Sequence, residues 1–189
     1  MIINRTSIFF FLVLLVAFSS CDQQNPFDRG PAYDAEGNLA KDSLLIAEYL
    51  KTAEIDSLYR IHDPSGVVII VQEEGDGSRP TTGNAVYTDY IGSLMSDGSV
   101  FDTSIEQAAI DNDIYVEGRK YKLFSFSLVP LGQQAQVIQG WNIAFRRLRS
   151  GSKAQLIIPS TYGYRDAENT DRIPPNSVLI FEVDFKGME

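Results

Sequence analysis

Val137-Ile138-Gln139-Gly140-Trp141-Asn142-Ile143-Ala144-Phe145-Arg146-Arg147-Leu148 carries a single apolar stripe. Trp141, Ala144, Phe145 and Leu148 recur at i, i+3, i+4 and i+7, the spacing of a buried helix face, with Arg146, Arg147 and Arg149 turned away from it. Gly151 follows, suited to a left-handed C-terminal cap. On both sides the period changes to two. Val67–Val71 is a β-branched run ending at an acidic turn, and Val86, Thr88 and Tyr90 share one face of the next strand. Phe124–Leu128 alternates aromatic with serine, as Ala154, Leu156 and Ile158 do with their neighbours, and then Leu179, Phe181, Val183 and Phe185. Strict alternation predicts a sheet with one buried face, which suits antiparallel pairing. The fold class expected is α+β, an antiparallel β-sheet wrapped around one short amphipathic helix.

Upstream of the sheet, Asp42–Ile55 places Ile46, Tyr49, Leu50 and Ala53 on one helical face, which predicts an N-terminal helical extension over 39–60 packed against a main domain over 61–189. Asp22–Gly37 is polar, with two prolines and two glycines, and its sixteen residues reach at most about 55 Å, so 21–38 reads as a flexible tether. Residues 1–20 differ from everything after them. Arg5 supplies a positive start, Ile8–Phe18 is an unbroken apolar run too short to span a bilayer, and Ser19-Ser20-Cys21 follows. The string Ala17-Phe18-Ser19-Ser20-Cys21 resembles the lipobox of bacterial lipoproteins, which implies cleavage after residue 20 and lipidation of Cys21. The expected location is the cell envelope, lipid-anchored and extracytoplasmic, with the outer membrane preferred over the inner.

Composition narrows the chemistry. The chain has 189 residues, 44% hydrophobic and 22% charged, which excludes a disordered or fibrous protein. Its net charge is −9, and removal of the leader would take away only Arg5 among the charged side chains. Such a surface gives no electrostatic reason to bind nucleic acid, whose affinity comes from lysines and arginines releasing phosphate counterions. It also leaves the membrane to be reached through the anchor alone. One Cys and one His exclude an internal disulfide and speak against a zinc site. Asp111, Asp113 and Glu117 lack the central glycine and ligand run of a calcium loop, and no phosphate-binding loop or dinucleotide fingerprint is present. No cofactor and no metal are expected, nor is a serine-type triad around His62 and Asp63.

Four strings then stand in order: Tyr90-Ile-Gly-Ser-Leu-Met-Ser-Asp97-Gly98-Ser-Val-Phe101-Asp102, Val137-Ile138-Gln-Gly140-Trp141, Ile158-Pro159-Ser-Thr-Tyr162-Gly-Tyr164, and Ile173-Pro174-Pro175-Asn-Ser-Val-Leu179-Ile-Phe181. Together they resemble the FKBP-type peptidyl-prolyl cis/trans isomerases from about Gly66 to Phe185. The resemblance implies an FKBP-like fold and a pocket with Trp141 as its floor. Tyr90, Phe101, Val137, Ile138, Ile173 and Phe181 would line it. Asp102 and the Tyr164 hydroxyl would be its polar groups, and the Ile138 N–H would hold a substrate carbonyl. A further aromatic position falls on Phe124 or Phe126. Arg165 and Arg172 depart from the family pattern, as does the longer stretch between Ser104 and Phe124. Taken singly, Trp141, Phe181, Val137 and Ile138 would serve as core residues in any α+β domain, and Asp102 as a turn cap.

The reaction explains why such residue types suffice. Rotation about an X–Pro bond takes tens to hundreds of seconds, because it breaks amide resonance against a barrier of about 18–20 kcal/mol. A dry aromatic cavity removes the water hydrogen bonds that favour the planar, charge-separated amide. The resemblance therefore implies an isomerase that assists folding of exported proteins, with proline-containing polypeptides as partners and a monomeric state. The alternative use of the same pocket is a non-catalytic module that binds proline segments.

Overall fold

In the computed structural model, residues 32–167 and 171–189 are described. Cys21, the leader and most of the expected tether lie outside them. Tyr33–Glu189 forms a compact unit. Its elements are α1 (Ala35–Thr52), β1 (Tyr59–His62), β2 (Val68–Glu73), β3 (Ala85–Leu94), β4 (Val100–Thr103), α2 (Glu106–Asp111), β5 (Phe124–Ser127), α3 (Gln139–Ala144), β6 (Lys153–Ile158) and β7 (Leu179–Met188). The fold class expected from the sequence is the one observed, with every strand pair antiparallel and the path β1-β2-β6-β7-β3-β4.

The ten-residue strand β3 organises the site. One edge pairs with β7 along its length, from Val86↔Met188 to Leu94↔Leu179. The other edge is shared: Ala85–Thr88 pairs with β5, and Ile91–Ser93 with β4. The 105–123 insertion joins β4 to β5, so it leaves and returns beside the middle of β3. Alternation along β3 holds as expected, with Val86, Thr88, Tyr90, Gly92 and Leu94 all buried. Gly92 is required by close approach. A Cβ there would meet rings of Phe101 and Phe181 at 2.8 Å, so only a glycine lets those two side chains cross the strand.

Helix α3 lies against the curved face of the sheet. Gly140 lets it sit close, since a Cβ would come within 2.3 Å of Ile158. Trp141, Ala144, Phe145 and Leu148 are all buried, as the stripe required, but the helix is shorter than that stripe. It passes into a 3-10 turn over Phe145–Arg147, and Leu148 is already extended. Gly151 is therefore not its cap. It takes its positive φ of 93° in the turn before β6, where its N–H donates to the Phe185 carbonyl.

The sheet departs from the expected single buried face. Val67–Val71 is buried without interruption, because α1 covers the far side of β2, β6 and β7. Ile46 packs there with Val68, Ile70, Ile157 and Ile180, and Tyr49 and Leu50 join them. α1 begins at Ala35, inside the stretch expected as tether, because the Asp34 carboxylate accepts the Gly37 N–H at 2.9 Å and caps it. It ends at Thr52, and β1 starts two residues before the expected domain boundary at 61.

Candidate active site

Trp141 lies 3% exposed at the centre of an aromatic cage. Tyr90 and Phe181 meet its ring edge-on at centroid distances of 5.2 Å each, Phe124 at 5.7 Å and Phe126 at 5.4 Å, while Phe145 tilts against it at 5.4 Å. Edge-to-face pairs of this kind contribute about 0.5–1.5 kcal/mol each beyond area burial. The indole plane is thus fixed from β3, β5, β7 and the turn after α3. The cavity of about 380 Å³ that opens above it is lined by Tyr90, Phe101, Asp102, Phe124, Val137, Ile138, Tyr164 and Phe181, together with Gln136.

Nine of the eleven site residues named from sequence converge on this cavity. The open choice between Phe124 and Phe126 falls to Phe124. Both project from the same face of β5, but Phe126 sits opposite Val86 and is sealed at 2% exposed between Trp141 and Phe145, so it supports the floor without lining the cavity. Ile173 does not line it either. Buried at 7% exposed, it faces an adjoining cavity of about 410 Å³ whose wall includes Phe101, Asp102 and Tyr164.

The polar rim is built around Asp102. One carboxylate oxygen accepts the Tyr90 hydroxyl at 2.5 Å, and the other accepts Arg119 Nη1 at 2.7 Å. Arg119 also donates from Nη2 to the Thr103 carbonyl at 2.9 Å and lies 4.9 Å over the Tyr121 ring. Burial, and then the hydrogen bond to Asp102, push the Tyr90 phenol far above its ordinary value, so it remains a neutral donor. Burial, and then the Asp102 charge, also raise Tyr164. Its side chain stands at the rim, and the residue is 38% exposed. Arg165, next in sequence, takes a left-handed φ of 58°, a conformation that costs a side-chain-bearing residue about 1–2 kcal/mol. Its N–H donates to the Ser160 carbonyl, its own carbonyl accepts from Asn176, and its guanidinium lies 5.5 Å over the Tyr33 ring.

Three supporting residues escaped the sequence reading. Arg119 comes from the insertion, and nothing local marks it. Asn142, fully buried, clamps the loop before α3 by accepting from the Val129 N–H and donating to its carbonyl. Asp42, 3% exposed on α1, accepts the Ser160 N–H at 2.8 Å and the Ser160 hydroxyl at 2.7 Å, so it holds the turn that leads to Tyr164. The signal for Asp42 was present, since a carboxylate four residues before Ile46 falls on the apolar stripe.

A family model described as FKBP-type peptidyl-prolyl cis-trans isomerase matches residues 77–186. The human "Peptidyl-prolyl cis-trans isomerase FKBP4" is 34% identical over 126 residues, which cover 65% of this chain and 24% of that protein. The "FK506-binding protein 1B" of Neurospora crassa is 32% identical over 130 residues, covering 66% of this chain and 99% of that one. The chain thus spans about a quarter of the human relative and nearly all of the fungal one. The crystal structure of FkpA from Escherichia coli superposes with a TM-score of 0.58 at 29% identity, over 82% of this chain and 61% of that chain. With the cavity floored by Trp141, these matches place the chain in the FKBP-type peptidyl-prolyl cis-trans isomerase family.

Proposed function

We propose that the protein accelerates cis/trans isomerisation of X–Pro bonds in exported polypeptides while tethered to the envelope through lipidated Cys21. The observation that carries the catalytic part is the aromatic cavity over Trp141 with a fixed carboxylate and a phenol at its mouth. A proline ring seated on the indole leaves its amide among Tyr90, Phe124 and Phe181, away from water. There the planar form loses solvent hydrogen bonds, and the twisted form, with less charge separation, loses less. The Ile138 N–H and the Tyr164 hydroxyl would orient the carbonyls on either side. Asp102, held by Tyr90 and Arg119, fixes the position of the local negative charge. The anchoring part rests on the leader and Cys21 in the sequence.

The test is a protease-coupled isomerisation assay on several X–Pro peptides, comparing wild type with Asp102→Ala and Tyr164→Phe. Wild type should accelerate exchange, and both variants should lower kcat/KM. Tight binding of proline peptides without acceleration would instead assign the cavity to a recognition module. For the anchor, mass spectrometry of membrane-fraction protein should find a lipid-modified N-terminal Cys21, and an unmodified thiol there would remove that part of the reading.

A further inference from the structure

A second basin, of about 1030 Å³, adjoins the Trp141 cavity in the chain at the Ile138–Gln139 and Tyr164–Arg165 steps. Its size is at the top of the range for small-molecule pockets, so it has room for several residues of an extended chain. Ile143 and Tyr162 give it an apolar base, and Gln133, Gln134 and Gln139 bring amide groups to it. Arg146, Arg147 and Arg165 stand around it, with Asp63 as the one carboxylate among the described lining residues.

How the three guanidinium groups are held decides what the basin can take. Arg147 is neutralised, since its Nε and Nη2 both donate to Asp63. Arg146 donates from Nη2 to the Val129 carbonyl at 2.6 Å and to the Thr82 hydroxyl at 3.1 Å. Arg165 donates from Nε to the Thr161 carbonyl and rests on the Tyr33 ring. Both of these are fixed by neutral groups, and among the described residues neither has an ion-pair partner. Among the described residues, therefore, the basin presents two pre-positioned positive charges with no ion-pair partner, on a chain whose net charge is −9. Acidic groups are repelled by most of this surface and attracted here.

We propose that this basin is a second subsite for client polypeptides, which binds acidic residues flanking the proline that occupies the Trp141 cavity. This inference rests on the isomerase reading of that cavity. Each cavity borrows alternate members of the same two dipeptides, Ile138 and Tyr164 for one, Gln139 and Arg165 for the other. A chain leaving the first meets the second at residues directly bonded to those that line the first. This continuity favours a peptide over a free anion or a lipid headgroup.

The test uses fluorescence anisotropy on the whole chain with peptides that share one Leu-Pro and differ only in a flanking run of Glu or of Gln. A pair is made with the run before the proline and another with it after. The Glu form of one pair should bind more tightly, and the advantage should shrink as salt rises. Arg165→Gln and Arg146→Gln should each weaken the Glu form about fivefold and leave the Gln form unchanged. Asp63→Asn, which releases Arg147, should act in the opposite direction and tighten it. Equal binding of Glu and Gln forms by wild type overturns the proposal, as does a Glu advantage that survives both arginine substitutions. Binding of inorganic phosphate or phosphatidylglycerol vesicles with the same arginine dependence, without a Glu advantage, assigns the basin to anions in general and also overturns it. Failure of the isomerase reading shows separately, as loss of binding and turnover for the Gln peptides.

Discussion

The floor and the rim of the Trp141 cavity are built by different physics. Trp141 is 3% exposed and held by aromatic rings from three strands and the turn after α3. At the rim, the Asp102 and Arg119 side chains are 39% and 36% exposed and are held by charge-assisted hydrogen bonds. Packing at the floor is inseparable from the core of the domain, so change there is a change in folding. The Asp102–Arg119 pair contributes little to stability, so this part of the rim is where activity can be altered with the fold intact.

The contrast breaks hardest at the floor. Trp141→Ala removes the common partner of Tyr90, Phe124, Phe126, Phe145 and Phe181 and should cost about 3–5 kcal/mol in urea unfolding. Proline-peptide binding should be lost even at temperatures where the variant stays folded. A cost below about 1 kcal/mol would mean the cage is not a structural unit. Next comes Asp42, which fastens the rim from the opposite side of the sheet. Asp42→Ala leaves the Ser160 N–H without its acceptor, at a cost of about 1–3 kcal/mol. Asp42→Asn keeps an acceptor oxygen and should recover part of that in the same unfolding assay.

Arg119→Gln sharpens the comparison from the other direction. An ion pair more than a third exposed contributes about 0–1 kcal/mol, so unfolding should barely change. Asp102 and Tyr90 lose a fixed neighbour, and kcat/KM in the coupled assay should drop at least about fivefold, which is about 1 kcal/mol of transition-state stabilisation. A variant that loses stability and keeps its rate would reverse the assignment of floor and rim.

The floor was legible in the sequence because its information is local. Trp141, Ala144, Phe145 and Leu148 announce themselves by spacing, and Phe181 by alternation. The rim was only half legible. Asp102 and Tyr164 came from ordered strings, but Arg119 reaches Asp102 from 17 positions further along the chain, and no periodicity encodes that contact. Phe124 and Phe126 share a strand face, so only depth below Trp141 separates them, and depth is set by tertiary packing. The second buried face of the sheet had a visible signal in the unbroken apolar run Val67–Val71, the mark of a strand covered on both sides. The start of α1 was hidden because prolines and glycines outweighed one capping aspartate, Asp34.

The smallest effect concerns Asp63, at the edge of the arginine basin. Burial opposes its ionisation, but the Ser65 N–H, Arg147 and the Ser65 hydroxyl outweigh that and hold its carboxyl below the ordinary value. A carboxyl with a depressed folded-state pKa contributes stability that is present above the unfolded value near 3.9 and fades as pH falls through the folded one. Wild type should therefore lose slightly more stability than Asp63→Asn between pH 6 and pH 3, with the two melting temperatures converging in acid. At pH 6 the variant should be less stable by at most about 1 kcal/mol, since Arg147 is half exposed. Parallel pH profiles would show that the pair does not couple to folding. Because the same substitution is expected to tighten acidic peptides, a small loss of stability with a gain in binding would separate what this ion pair does for the fold from what it withholds from the basin.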